Sequence, residues 1–283
     1  MVNYYELMSN DSIILAETLK AKGYISPNRN LLTHPSNTVN FNKPQWPNAY
    51  GIFENLYDTK GAKLIRALEI ASMVPPAEAN RPVLDYGCGE GYTVRALNLI
   101  GRSCIGYDKV RFDEWQKLKV RAFNNMDDIV SHSPYAMVLL YDVLDHMSVI
   151  DMIKSLSDIK KVLADKSQVF LRVHPFTSRN GSHFSIDRAF LHLMLTTDEM
   201  NRLRIERQNV EMIINPMHFY DDLFGLLGFT VVRKIVHQTS VEEFISRTYL
   251  GRIRDIHFNI SDGDDHIKEV LSVDFIDYWL NPN

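Results

Sequence analysis

The chain has 283 residues, 45% of them hydrophobic and 23% charged, with a formal net charge of -4 at pH 7. This is a globular balance that excludes disorder and an overall basic, nucleic-acid-coating surface, while leaving room for a local basic groove. The length suits one α/β domain with an accessory segment, or two small domains, and the two cysteines, Cys88 and Cys104, can both stay thiols in a reducing compartment.

The opening stretch MVNYYELMSNDSIILAETLK lacks a basic region followed by an apolar core, so no signal peptide is expected. No apolar run is long enough to cross a membrane, and a soluble cytoplasmic protein is the expectation. Residues 1–24 read as one or two short helices, with Asn10 or Asp11 capping the run that holds Ile13, Ile14 and Leu19. Residues 26–51 are rich in Asn, Pro and Ser and read as an irregular loop punctuated by Phe41, Trp46 and Tyr50. Residues 1–51 are therefore set apart as an N-terminal helical and loop extension, either a lid, a structural brace or an oligomer contact. Residues 52–283 form the main domain. Its first helix runs from Ile52 to Met73 and is ended by Pro75 and Pro76.

From Arg81 the pattern changes. RPVLDYGCGEG is a short apolar strand entering a glycine loop, and a helix follows through Tyr92 to Leu99. SCIGYD is a second strand after a turn at Gly101, residues 111–119 a short helix, and VRAFN a third strand. YAMVLLYD is a nearly continuous apolar strand, as the interior of a parallel sheet requires. An amphipathic helix over 148–164 leads to the strand QVFLRVHPF, and a helical insertion is expected near 183–210. A helix from Tyr220 to Leu227 precedes the strand FTVVRKIVHQ. After a polar loop around 261–265, LSVDFIDYWL is expected to pair with that strand as an antiparallel edge. Strands alternating with helices imply a doubly wound, mostly parallel α/β sheet covered on both faces.

The densest signal is Asp85-Tyr-Gly87-Cys88-Gly89-Glu-Gly91, directly after a strand. Glycines tolerate tight turns and let a ligand approach the main chain. Ligands of open α/β sheets bind at the carboxyl ends of the strands. Asp108 ends the second strand, 17 positions after Gly91, where a carboxylate can accept both hydroxyls of a ribose. Asp85 either contacts the ligand or holds loop amides. A nicotinamide dehydrogenase needs GxGxxG, and here the third glycine comes too early.

These segments resemble a known family. VLDYGCGEGYTVRAL looks like the first motif of class I, Rossmann-like S-adenosylmethionine-dependent methyltransferases. CIGYD is similar to the next motif, and YAMVLLYDVLDHM to the fourth-strand motif, with Asp145 where Glu is common. MHFYDDLFGLLGFTVVRKI resembles the late helix-Gly-Phe-strand element. The resemblance implies a seven-stranded sheet and S-adenosyl-L-methionine as cofactor. Gly87, Gly89 and Gly91, with Asp85 and Cys88 of the same loop, would surround its methionine part and Asp108 its ribose. Lys109 and the Asn124–Asp127 segment would border the adenine, with Asp127 the candidate acidic contact. Tyr141 and Asp142 would lie near the sulfonium. A methyltransferase-like protein without activity is the alternative from another class.

The acceptor side is expected around the polar stretch running from Arg172 through His174 and Arg179 to His183. Arg179 can grip a carboxylate or phosphate, and His174 or His183 can act as a base near neutral pH. These three are the catalytic candidates, and they give an acceptor with an anionic group. Structural roles stand beside these: Arg172 paired with a helix carboxylate, and His174 capping its strand. The spacing of His174, His183, His192 and His218 matches no metal-ligand signature, so no metal is expected. Asp142 and His146 would share a face if a helix began there. The Asn/Asp-Pro-Pro-Tyr/Phe motif of nucleic-acid amino-methyltransferases is replaced by YDVLD, and no full Lys-Asp-Lys-Glu set occurs. A small-molecule acceptor is favoured, with RNA and protein acceptors and the oligomeric state left open.

Overall fold

The computed structural model describes residues 4–24, 60–74, 81–179, 189–196, 198–199, 213–242, 244–259 and 261–283. The helices are α1 (Tyr4–Ala21), α2 (Lys60–Met73), α3 (Tyr92–Leu99), α4 (Glu114–Leu118), α5 (Met126–Ser131), α6 (Val149–Val162), α7 (Pro216–Leu226), α8 (Arg247–His257) and α9 (Asp264–Ser272). The strands are β1 (Val83–Tyr86), β2 (Cys104–Tyr107), β3 (Ala122–Phe123), β4 (Tyr135–Tyr141), β5 (Leu163–Val173), β6 (Phe229–Gln238) and β7 (Val273–Pro282). They form one seven-stranded sheet in the order β3-β2-β1-β4-β5-β7-β6. The pairs from β3 to β5 are parallel, and β7 runs antiparallel to both neighbours. The doubly wound architecture is as expected. β6 and β7 do pair antiparallel, but β7 inserts between β5 and β6, so of these two strands only β6 is an edge. Its burial explains this: Ile276, Tyr278 and Leu280 are fully buried, which an edge strand could not achieve.

Two apolar layers sandwich the sheet. On one face Leu84, Val138, Leu171 and Tyr278 pack under α6, α7 and α1. On the other, Ala67 and Ala71 of α2 and Val94 and Leu97 of α3 pack over Val83, Leu139 and Phe170. The local sequence specifies these helices. Ser148 caps α6 by accepting from Asp151 N at 3.1 Å, and Lys160 and Lys161 sit in its last turn, where cations suit the helix dipole. Pro216 opens α7 at a position where its missing N–H costs nothing.

Three local readings change. α1 is a single helix that continues through Asn10 and Asp11 rather than starting at them. Docking of Ala16 and Leu19 into the core outweighs the weak helix propensity of those two residues. β3 is only two residues long. The polar loop around 261–265 turns into the first turn of α9, with Asp264 and Asp265 at the favourable end of its dipole. The described part of the expected insertion, residues 189–196 and 198–199, holds a tight 3-10 turn, Leu191–Leu193, and Glu199, which accepts from Thr196 N. The rest, the loop with Phe41, Trp46 and Tyr50, and residues 52–59 of the first helix lie outside the described residues.

β6 ends and β7 begins at the carboxyl edge of the sheet, so α8 and α9 stand beyond that edge. There they share a third core with Phe176, Phe190, Leu193 and Met194. His257 Nε2 meets Leu193 O at 2.9 Å, and Arg252 reaches Met194 O at 2.6 Å. This cap covers the β5-β7-β6 half of the carboxyl edge. α1 also ends near that edge, where Tyr24 O accepts from Ile214 N at 2.7 Å, just before α7. Among the described residues no helix is long and apolar enough to cross a membrane.

If α1 is an integral brace, Leu19→Ala should cost about 2–5 kcal/mol in urea unfolding, while Ile14→Ala, at a 64% exposed position, should cost under about 0.5 kcal/mol. Equal small costs would mean that α1 does not dock.

Candidate functional site

The glycine loop leaves β1 at the middle of the sheet. Gly87, Gly89 and Gly91 all have positive φ, at 81°, 50° and 87°. A Cβ on Gly87 would fall 2.5 Å from Val143 Cγ2, so the loop can pass β4 only as bare backbone. A Cβ on Gly89 would meet nothing within 4 Å, so this residue borders open space. Gly87 N and Cys88 N both donate to Tyr107 O, at 2.7 and 2.9 Å, which ties the loop to the end of β2.

Asp108 is joined to this loop. Its Oδ2 accepts from Gly89 N and its Oδ1 from Val110 N, both at 2.9 Å. A carboxylate has about four lone-pair sites, so two remain for a ligand's hydroxyls. Burial raises the pKa of Asp108, partly offset by those two amides and by Lys109. Asp85 is buried beneath it, and burial, then the charge of Asp108, pushes its carboxyl up to about 7. Two carboxyls held out of water in this way favour a ligand that brings hydroxyl donors or positive charge.

Cys88 turns its Sγ onto β2, within 2.7 Å of where a Cβ on Gly106 would stand. Burial, and then the charges of Asp85 and Asp108, drive its thiol pKa well up. It packs as an apolar group and offers the crevice only its backbone. Lys109 is exposed beside Asp108, and Asp127 is exposed in the first turn of α5, whose cap is Asn125. Both lie at the carboxyl edge, on the β2-β3 side. Two supports escaped the sequence reading. Trp115 Nε1 donates to Gly89 O at 2.7 Å, and Lys63 of α2 pairs with Glu90 at 2.8 Å. A buried Trp in a short polar helix was the available signal for the first.

Across Val143 lies the other half. Asp142 follows β4 with φ 56°, a conformation that a non-glycine residue adopts only where its surroundings enforce it. Its Oδ1 lies 3.2 Å from His174 Nε2. Burial alone would lower the pKa of His174, but the hydrogen bond to Asp142 and the charges of Asp142, Asp145 and Asp274 outweigh it and hold it above the ordinary value. His146 does not share a helix face with Asp142, because 144–146 is a 3-10 turn and α6 starts only at Val149. Arg179 NH2 lies 3.5 Å from Asp274 Oδ2, with its guanidinium 5.4 Å from the Phe244 ring. His183 lies outside the described residues.

Arg172 pairs with a strand carboxylate rather than a helix one. Its Nε and NH2 donate to the two oxygens of Asp277 at 2.6 and 2.7 Å, and its NH1 donates to Tyr141 OH at 2.6 Å. Sequence reasoning missed Asp277, although an aspartate inside the apolar strand VDFIDYWL, opposite an arginine inside FLRV, signals a cross-strand pair. His192 is buried with its Nε2 2.6 Å from Phe176 O, and His218 is exposed on α7. Among the described residues no three His, Cys, Asp or Glu side chains stand together to hold a metal ion.

A family model described as a methyltransferase domain matches residues 57–233. Among solved structures, a SAM dependent methyltransferase from Archaeoglobus fulgidus is 14% identical, with 82% of this chain and 98% of that chain covered at a TM-score of 0.50. The plantazolicin methyltransferase BpumL, in complex with a monoazolic desmethylPZN analog and SAH, is also 14% identical, with 95% and 99% covered at a TM-score of 0.50. At such identities the likeness is one of fold. No curated protein sequence matches the chain.

The raised carboxyl of Asp85 makes a signed prediction. The folded protein binds this proton more tightly than the unfolded chain, so its contribution to stability is fully present below about pH 4 and lost as pH rises through about 7. Thermal melts of the ligand-free protein should show Asp85→Asn gaining on the wild type over that range. A pH-independent difference would contradict the assignment.

Proposed function

Since the chain belongs to the class I, Rossmann-like S-adenosylmethionine-dependent methyltransferases, we propose that it methylates a small molecule held between Asp142 and the loop leaving β5. The residues fit the cofactor. The main chain of Gly87, Gly89 and Gly91 would hold the methionine part, with the start of α3, which no side chain caps, available for its carboxylate. Asp108 would take the ribose hydroxyls, with Asp85, its carboxyl raised to about 7, buried nearby. Lys109 and Asp127 would border the adenine, and Tyr141 and Asp142 the sulfonium. The bound cofactor supplies an electrophilic methyl group, whose bonding electron pair stays on sulfur as the acceptor's lone pair forms the new bond.

The observation that carries the reading is the Asp142–His174 pair beside the Val143–Gly87 contact. It places an imidazole and its carboxylate next to the loop. His174 removes the proton of a hydroxyl or amine acceptor, and Asp142 orients the ring and stabilises its charged form. A base is required only for a protonated acceptor, and alignment supplies much of the remaining rate. An acceptor carboxylate or phosphate would be gripped by Arg179 in exchange for Asp274, which now faces it. His183 stays a second candidate base from the sequence alone.

Labelled S-adenosylmethionine, screened against metabolites, nucleic acids and proteins, tests this reading. With the acceptor in hand, His174→Ala should lower the rate by about 10²–10⁴-fold while leaving cofactor affinity near that of the wild type. Activity should rise with pH through the raised pKa of His174, because the base must be neutral, and Asp142→Asn should move that rise to lower pH. A rate indifferent to both substitutions would reject the pair. Cofactor binding with no product across all classes would support a non-catalytic binding protein instead.

A further inference from the structure

Tyr141, Arg172 and Asp277 are register partners across β4, β5 and β7, so they form a straight row on one face of the sheet. The row is enclosed: the Arg172 and Asp277 side chains are 11% and 5% exposed. Phe275 covers the guanidinium at 4.0 Å, and the Tyr141 ring lies 4.9 Å from it. The row ends at the crevice. Tyr141 is the last residue of β4, Asp142 follows it, and Val143 touches the glycine loop. The charge of Arg172 therefore stands one hydrogen bond from the hydroxyl of Tyr141, the residue that would border the sulfonium in the proposed function.

An uncompensated arginine in that position would repel a sulfonium. A neutral thioether, the form left after transfer, would feel no such repulsion. Asp277 accepts from the Nε and NH2 edge of the guanidinium and offsets its charge, and the pair is buried enough that water screens it little. We propose that Asp277 determines the preference for the charged methyl donor over its neutral product, acting through Arg172 as a positioning and charge-compensating residue. This rests on the methyltransferase reading above. It assigns a role to a strand that no cofactor motif includes, and it makes β7 a functional part of the crevice as well as a structural one.

The test is calorimetry of the full-length protein with S-adenosylmethionine and with S-adenosylhomocysteine, read as the ratio of the two Kd values. Asp277→Asn keeps a bond to Arg172 but removes the negative charge. It should shift the ratio toward S-adenosylhomocysteine on the order of fivefold, about what one unit charge contributes across roughly 8 Å at an effective dielectric of roughly 40. Arg172→Gln should shift it the opposite way, because it removes the positive charge while Asp277 keeps a partner in His237 Nε2 at 3.2 Å. The double substitution, again charge-balanced, should restore the wild-type ratio even where stability has fallen. If Asp277→Asn does not fold, the shift in Arg172→Gln decides the matter alone. A merely structural row predicts both ligands weakened equally, and an unchanged ratio in whichever variant folds overturns the proposal. Wild-type protein that binds neither ligand removes the premise instead, and thereby separates failure of the methyltransferase reading from failure of this one.

Discussion

The passage of the glycine loop across β4 is the constraint from which both halves of the crevice follow. Gly87 and Val143 are so close that a single added carbon would overlap at 2.5 Å. The loop therefore lies flat against the end of β4, and the backbone of β1 turns outward at a fixed height. That height brings Gly89 N to the carboxylate of Asp108 on one side. On the other it leaves Asp142 at the lip of the crevice, in a left-handed conformation that points its carboxylate at His174. Gly106 repeats the device one strand over, where Cys88 packs down onto β2 through the space a side chain would have filled.

The second half is held by charge rather than by close approach. Strands β4, β5 and β7 are joined by backbone ladders, and the Arg172–Asp277 pair adds a side-chain link at their crevice end. Such a buried pair adds little net stability compared with apolar residues, yet breaking it by removing one partner typically costs about 3–5 kcal/mol. Its value lies in fixing register and local charge. The cap of α8, α9 and the Leu191–Leu193 turn then closes over this side through its own core. The proposed acceptor end thus lies between the sheet edge and a separately packed cap, and the proposed cofactor end between the sheet edge and one loop.

Legibility in the sequence followed the range of the interactions. The glycine loop, Asp108 and the order of strands and helices are local patterns: turn chemistry, an acid at a strand end, and hydrophobic periodicity. They could be read because backbone geometry dictates them within a few residues. The position of β7 could not, since LSVDFIDYWL is apolar enough for either an edge or an interior place and only tertiary pairing decides. The same holds for Asp142 with His174 and for Arg172 with Asp277, whose partners lie 32 and 105 residues apart. The cap was missed for a related reason. α9 begins in a run of Asp and Gly that reads as a loop, and its apolar residues Ile267, Val270 and Leu271 acquire a partner only when α8 and the 190s turn are brought beside them.

The central claim is that one crevice, bounded by the Gly87–Gly91 loop, Asp108 and Tyr141, holds S-adenosylmethionine. A crystal structure of the protein with S-adenosylhomocysteine tests it most directly. Both ribose hydroxyls should lie on the carboxylate of Asp108, the methionine part along the backbone of Gly87 and Gly89, and the sulfur facing Tyr141 and Asp142. A nucleoside bound elsewhere, or bound here with its sulfur turned away from the end of β4, would contradict it.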